Sequence, residues 1–104
     1  MIGIDLVEIK RITLTDKFIA HVLSPQEIEV FSARKDQMQF IAGRFAAKEA
    51  FLKAQQKGLF SIPLNQIEVL NNSDGSPYIV CRGTRYENVS ISHERDYAVA
   101  VVEI

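Results

Sequence analysis

One stretch, residues 36–57, does most to limit what this chain can become. It is rich in Ala, Gln, Lys, Phe and Leu, holds no proline and runs up to Gly58. It reads as a single long helix with the glycine as its natural stop. In a chain of 104 residues, every other element must pack around such a rod. At about 100° per residue, Ile41, Phe45 and Leu52 share one face, while Phe40 and Phe51 lie roughly opposite. Apolar residues on two sides predict burial on two sides. A small domain has few elements to cover the second side, so the pattern points to a homo-oligomer.

Before the long helix, residues 2–9 alternate as a strand does, with Ile2, Ile4 and Leu6 on one side and Gly3, Asp5 and Val7 on the other. A short helix is expected over 15–22. Ser24, Pro25 and Glu27 then form a helix start, with the capping box three residues apart, proline at the first position, and Leu23 and Ile28 spaced as a hydrophobic staple. That helix should end near Ala33. After Gly58 the period changes. Residues 66–70 and 78–82 read as a hairpin around the turn cluster 72–77, and 88–92 with 97–103 as a second strand pair. In the last strand Ala98, Ala100 and Val102 face one way and Tyr97, Val99 and Val101 the other, which predicts cover on both faces. The order is an N-terminal strand, helical segments with one long helix, then antiparallel strands. The expected class is α+β, in a single domain over 1–104.

With 47% hydrophobic and 24% charged residues the composition is that of a folded globular protein. No apolar run approaches the roughly 20 residues needed to cross a bilayer. Met1-Ile2-Gly3-Ile4-Asp5 shows no basic stretch ahead of an apolar core, and the lone Cys81 can close no internal disulfide. These features predict a soluble cytoplasmic protein. The charge is uneven. Arg34, Lys35, Arg44, Lys48, Lys53 and Lys57 face only Asp36 and Glu49 in their segment, giving it +4 in a chain of net charge −1. A basic helix in a near-neutral protein is either a solvated face or the seat of a phosphorylated or acidic ligand. It argues against general nucleic-acid binding, which calls for a basic domain overall.

Two acids stand where the patterns want apolar residues. Glu49 falls inside the stripe of Phe45 and Leu52, where a carboxylate must be paired, hydrogen-bonded or bound to a cation; a boundary salt bridge to Lys53 at i+4 is the simpler alternative. Asp5 sits in mid-strand, where aspartate is disfavoured. Two carboxylates that met in space would suit Mg²⁺, which takes few protein ligands and completes an octahedron with water and phosphate oxygens. His93 is in phase with Val89 and Ile91, and reads either as a hydrogen-bonded core residue or as a functional one. Cys81, in phase with Ile79, reads as a small buried residue. The glycines form neither a Walker pattern nor G-x-G-x-x-G.

Phe40-Ile41-Ala42-Gly43-Arg44-Phe45-Ala46-Ala47-Lys48-Glu49-Ala50-Phe51-Leu52-Lys53-Ala54 closely resembles the signature helix of the holo-[acyl-carrier-protein] synthase family, the small type of 4′-phosphopantetheinyl transferase. Gly3–Ile9 resembles that family's first strand, Asp74–Tyr78 its hairpin and Val89–His93 its late strand, in the family's order. The resemblance implies a reaction: 4′-phosphopantetheine moves from coenzyme A to a serine of an apo acyl carrier protein, releasing 3′,5′-ADP. It implies Mg²⁺ on Asp5 and Glu49, with Glu8 in support. Lys53 would sit on the coenzyme A pyrophosphate, Arg44 and His93 at the nucleotide end, and Gly58 and Ser92 also at the cofactor. Asp5, Glu49, Lys53 and His93 are the catalytic set so implied. Arg11, with Lys10, Lys17 and His21 nearby, would meet the acidic carrier protein. The resemblance also implies a homotrimer with active sites between subunits, serving fatty-acid or related acyl-chain synthesis. The chain departs from the family at the glycine-poor stretch 57–61, at His21 in place of a common arginine, and at Glu94 after His93.

Overall fold

The alternating start of the chain forms strand β1 (Ile2–Glu8), which runs into one turn of 3-10 helix at Ile9–Arg11. The computed structural model describes residues 1–58 and 61–104, so part of the glycine-poor stretch, at 59 and 60, lies outside the described residues. Helix α1 (Asp16–Val22) is capped by Thr15, whose side chain accepts from the Phe18 amide. Helix α2 (Pro25–Ser32) carries the whole expected capping box. Ser24 Oγ accepts from the Glu27 amide and the Glu27 carboxylate accepts from the Ser24 amide. Leu23 is buried in the main core and Ile28 packs against it.

Helix α3 (Gln37–Ala54) ends three residues before its expected limit, and Gly58 does not stop it. Gln56 takes the left-handed position at φ 59°. The Gln56 amide donates to Lys53 O and the Lys57 amide to Leu52 O, closing a Schellman motif. Glycine is favoured there because it lacks a Cβ, but the two hydrogen bonds hold a glutamine in the same conformation.

The strands follow as β2 (Ile67–Asn71), β3 (Pro77–Cys81), β4 (Thr84–Tyr86), β5 (Val89–His93) and β6 (Tyr97–Glu103). They form two antiparallel sheets, β1-β6-β5 and β2-β3-β4. The class is α+β. Strand β4 was not evident in the sequence. Arg82 and Gly83, with φ of 51° and 81°, make the two-residue connection from Cys81 to Thr84, the geometry that suits a tight hairpin. Among the described residues no helix is long and apolar enough to cross a membrane.

Helix α3 packs on β1, β6 and β5, and also against β2. Its two-sided burial is satisfied within the chain. Phe40 meets Phe31 of α2 with ring centres 6.2 Å apart, and Phe51 meets Tyr86 of β4 edge-on at 4.9 Å. The second face of the helix therefore needs no partner copy. The uncovered surface is elsewhere. Ala98, Ala100 and Val102 of β6 are buried under α3, but the opposite face of the sheet is open, with Ile2 65%, Ile4 58% and Leu6 63% exposed and Val101 and Tyr97 partly so. Cover on both faces of β6 is thus not met inside this chain. In β1 the small and acidic side, Gly3 and Asp5, faces the core, and the aliphatic side faces outward.

Candidate active site

The inward face of β1 explains how the two misplaced acids meet. Gly3 lies so close to α3 that a Cβ there would stand 1.9 Å from Ala50 O and 2.7 Å from Ala54 N. The helix backbone rests directly on the strand. Glu49 and Lys53 each precede one of those contact residues, and Asp5 is the next inward residue after Gly3. Asp5 is 9% exposed. Lys53 Nζ donates to Asp5 Oδ1 at 3.0 Å and to Ile4 O at 2.9 Å, so the lysine pairs with Asp5 and not, as an i+4 bridge, with Glu49. Asp5 Oδ2 is buried and, among the described residues, has no hydrogen-bond donor when Glu49 is ionised. Burial, then a hydrogen bond shared with the Asp5 carboxylate when Glu49 is protonated and repulsion from it when it is not, push the Glu49 carboxyl up to about 7 despite the pull of Lys53.

Asp5, Glu49, Leu52, Lys53 and Lys57 line a recess of about 150 Å³. On its other side Glu49 lines a groove of about 490 Å³ with Val7, Glu8, Arg11, Phe18 and Phe45 among its walls. Glu49 therefore sits where a small recess, holding two lysines and the two carboxylates, joins a largely apolar groove. Among the described residues no cluster of three or more His, Cys, Asp and Glu side chains gathers anywhere. Two hard oxygen donors, one of them orphaned, fit a cation that keeps water and phosphate oxygens in its shell, as Mg²⁺ does.

Of the other expected residues, Glu8 and Arg11 share the groove with Glu49, and the rest lie apart from this centre. Glu8, on the far side of β1, accepts from Arg11 Nε at 3.0 Å and faces Lys10 Nζ at 3.6 Å. Lys10 and Arg11 are themselves strongly exposed. Lys17 and His21 line a neighbouring hollow on α1 beside Thr15 and Phe18, residues that also wall the groove. His93 is in β5, separated from β1 by β6, hence about 10 Å across the sheet from the strand that carries Asp5. It lies close enough to the start of α3 to help hold the Asp36 carboxyl below its usual range, after the larger effect of the Arg34 hydrogen bond. Ser92 alternates with His93 and pairs with Val99, on the open side of the sheet. Gly58 is exposed beyond the end of α3. Arg44 lines a different cavity, between α2, α3 and β2.

The basic-helix reading changes most. Lys48 is fully buried, with Nζ 2.5 Å from Glu27 Oε1 and 2.6 Å from Val22 O. Glu27 Oε2 accepts from the Val69 amide, which ties α2, α3 and β2 together. Arg44 is also buried, Arg34 is paired with Asp36 and Lys53 with Asp5. Two of the six basic residues, Arg44 and Lys48, are therefore internal, while Arg34, Lys35, Lys53 and Lys57 stay exposed. By helical arithmetic Lys48 lies about 20° from Ile41, at the edge of the stripe that Glu49 interrupts.

The comparisons decide the family. The model of the 4′-phosphopantetheinyl transferase superfamily matches residues 1–102, and the relatives found are holo-[acyl-carrier-protein] synthases. The protein of Geobacillus sp. (strain WCH70) is 41% identical over 99% of this chain and 93% of its own. The Enterococcus faecalis protein is 42% identical over 97% and 92%. The chain belongs to the holo-[acyl-carrier-protein] synthases of the 4′-phosphopantetheinyl transferase superfamily. Solved structures of this family agree in fold. The Bacillus anthracis synthase in complex with CoA (3′,5′-ADP) superposes with a TM-score of 0.88 at 40% identity, covering 97% of this chain and 91% of that one. The Helicobacter pylori synthase in complex with coenzyme A gives 0.86 at 35% identity, covering 99% and 98%.

Proposed function

We propose that residues 1–104 form one transferase domain that moves 4′-phosphopantetheine from coenzyme A to a serine hydroxyl of an apo acyl carrier protein. The observation that carries this reading is the Asp5–Glu49 pair with its orphaned buried oxygen beside Lys53. Asp5 and Glu49 would hold Mg²⁺, which when bound supplies positive charge to the pyrophosphate oxygens as a Lewis acid. The serine hydroxyl gives its proton to a nearby carboxylate or water as its oxygen bonds the β-phosphorus, the bridging P–O bond breaks, and 3′,5′-ADP leaves with the electron pair. Lys53 adds a fixed positive charge at the same place, and Lys57 lies at the rim of the recess. The apolar groove beyond Glu49 is suited to the uncharged pantetheine arm. Arg11 lines that groove and Lys17 and His21 line the hollow beside it, and these residues with Lys10 would receive an acidic carrier protein. Incubation with coenzyme A, Mg²⁺ and an apo acyl carrier protein should release one 3′,5′-ADP per carrier consumed, resolved by chromatography. Bound coenzyme A with no nucleotide release would contradict the reading.

The working unit is a homotrimer in the cytoplasm, with sites between subunits, serving acyl-chain synthesis. The open aliphatic face of β1 and β6 supports association, since isolated monomers rarely expose such a patch. The separation of His93 and Arg44 from the carboxylate pair supports a site completed by a second copy. Mixing Asp5→Asn protein with His93→Ala protein, each nearly inactive alone, should restore a substantial part of wild-type turnover after subunit exchange. Mixtures no more active than their components would rule out a shared site.

A further inference from the structure

Arg44 is a cation with no anion of its own. It is 9% exposed, stacked on Phe40 with its guanidinium carbon 4.1 Å from the ring centre, and its Nε is buried without a partner. Burial lowers its pKa to about 10, which leaves it charged at neutral pH. Glu27 and Asp36 attract it only at a distance, since the first is taken by Lys48 and the second by Arg34. Among the described residues its one direct polar contact is Nη2 to Asn71 Oδ1, at 2.5 Å. Asn71 is itself fixed at the end of β2, because its Nδ2 donates to Gly75 O across the hairpin turn at 2.9 Å. That second bond directs the amide oxygen at the guanidinium.

An amide at this position can align the guanidinium without neutralising it. A carboxylate would bond it more strongly and cancel the charge. We propose that Asn71 is a positioning residue, a neutral clamp that holds the Arg44 guanidinium in place for an anionic group of coenzyme A while leaving its charge available. This rests on the reading that Arg44 meets the nucleotide end of the cofactor. Sequence-distant pairing through a hairpin also makes the β2–β3 turn part of the cofactor site.

The test compares Asn71→Ala, Asn71→Asp and Arg44→Ala by steady-state kinetics with coenzyme A and by thermal melting. Asn71→Ala should raise KM for coenzyme A about fivefold with little change in kcat. Asn71→Asp should raise it about tenfold or more with folding retained on melting, because the new ion pair cancels the charge and offsets the lost bond to Gly75 O. In an Arg44→Ala background, Asn71→Asp should change KM by less than about twofold. A purely structural role gives the opposite result: the aspartate variant would bind coenzyme A as wild type does. If Arg44→Ala raises KM and Asn71→Asp does not, the clamp is overturned while the site reading stands. If Arg44→Ala itself leaves KM unchanged, the reading of Arg44 falls and the clamp with it.

Discussion

Glu49→Gln is expected to reduce turnover by about a thousandfold or more while the protein stays folded. Loss of one carboxylate from a two-carboxylate site removes a charged ligand, and Mg²⁺-derived charge stabilisation is worth several kcal/mol of barrier, each ~1.4 kcal/mol being tenfold in rate. The stability readout has a definite sign. Glu49 is half-buried beside Asp5, and both its burial and that neighbour disfavour its ionised form. The neutral amide removes this repulsion and leaves the Lys53–Asp5 bond in place. The melting temperature of the metal-free variant should equal or exceed that of the wild type. A variant with retained turnover would show that Glu49 is not part of the site, and one with lowered stability would show that its carboxylate supports the fold.

Lys48→Met should have the largest effect on stability, about 3–5 kcal/mol. Removing the ammonium leaves Glu27, 1% exposed, as a buried carboxylate held only by the Ser24 and Val69 amides, and strips the Val22 carbonyl of its donor. A domain of this size has a total stability on the order of 5–15 kcal/mol. The melting temperature should therefore fall by more than about 12 °C. Adding Glu27→Gln should recover part of that loss, because a neutral acceptor no longer carries an unpaired charge. A fall under about 4 °C on Lys48→Met, or no recovery in the double variant, would show that the pair is not what joins α2, α3 and β2.

These two residues are neighbours in sequence yet differ in how legible they were. Glu49 stood out because the long helix has an apolar stripe and a carboxylate interrupts it. Lys48 lies at the edge of the same stripe, beside Ile41, but its long side chain is equally at home with its head in water, so only the packed structure shows it buried. The Ser24–Glu27 cap was fully readable because every partner lies within four residues. Partners across the chain were not: Lys53 meets Asp5 from 48 positions away and Arg44 meets Asn71 from 27. The alternation of β1 identified two faces without telling which turns inward. The aliphatic side would be the usual choice, but Gly3 must face α3 because nothing larger fits beneath Ala50, and that turns Ile2, Ile4 and Leu6 outward. Oligomerisation was first inferred from the long helix. Phe31 and Tyr86 cover that helix within the chain, and the sheet face is what remains open. The chain's resemblance to the synthases lay in contiguous residues of the signature helix, which is why the family was legible when the contacts were not.

The mass of an apo acyl carrier protein after incubation with this protein and coenzyme A tests the central claim most directly. With Mg²⁺ present, the carrier should gain the mass of one phosphopantetheine at a single serine, and a chelator or the Asp5→Asn substitution should prevent the gain. An unchanged carrier mass across several acyl carrier proteins, or a gain that survives both the chelator and Asp5→Asn, would contradict it.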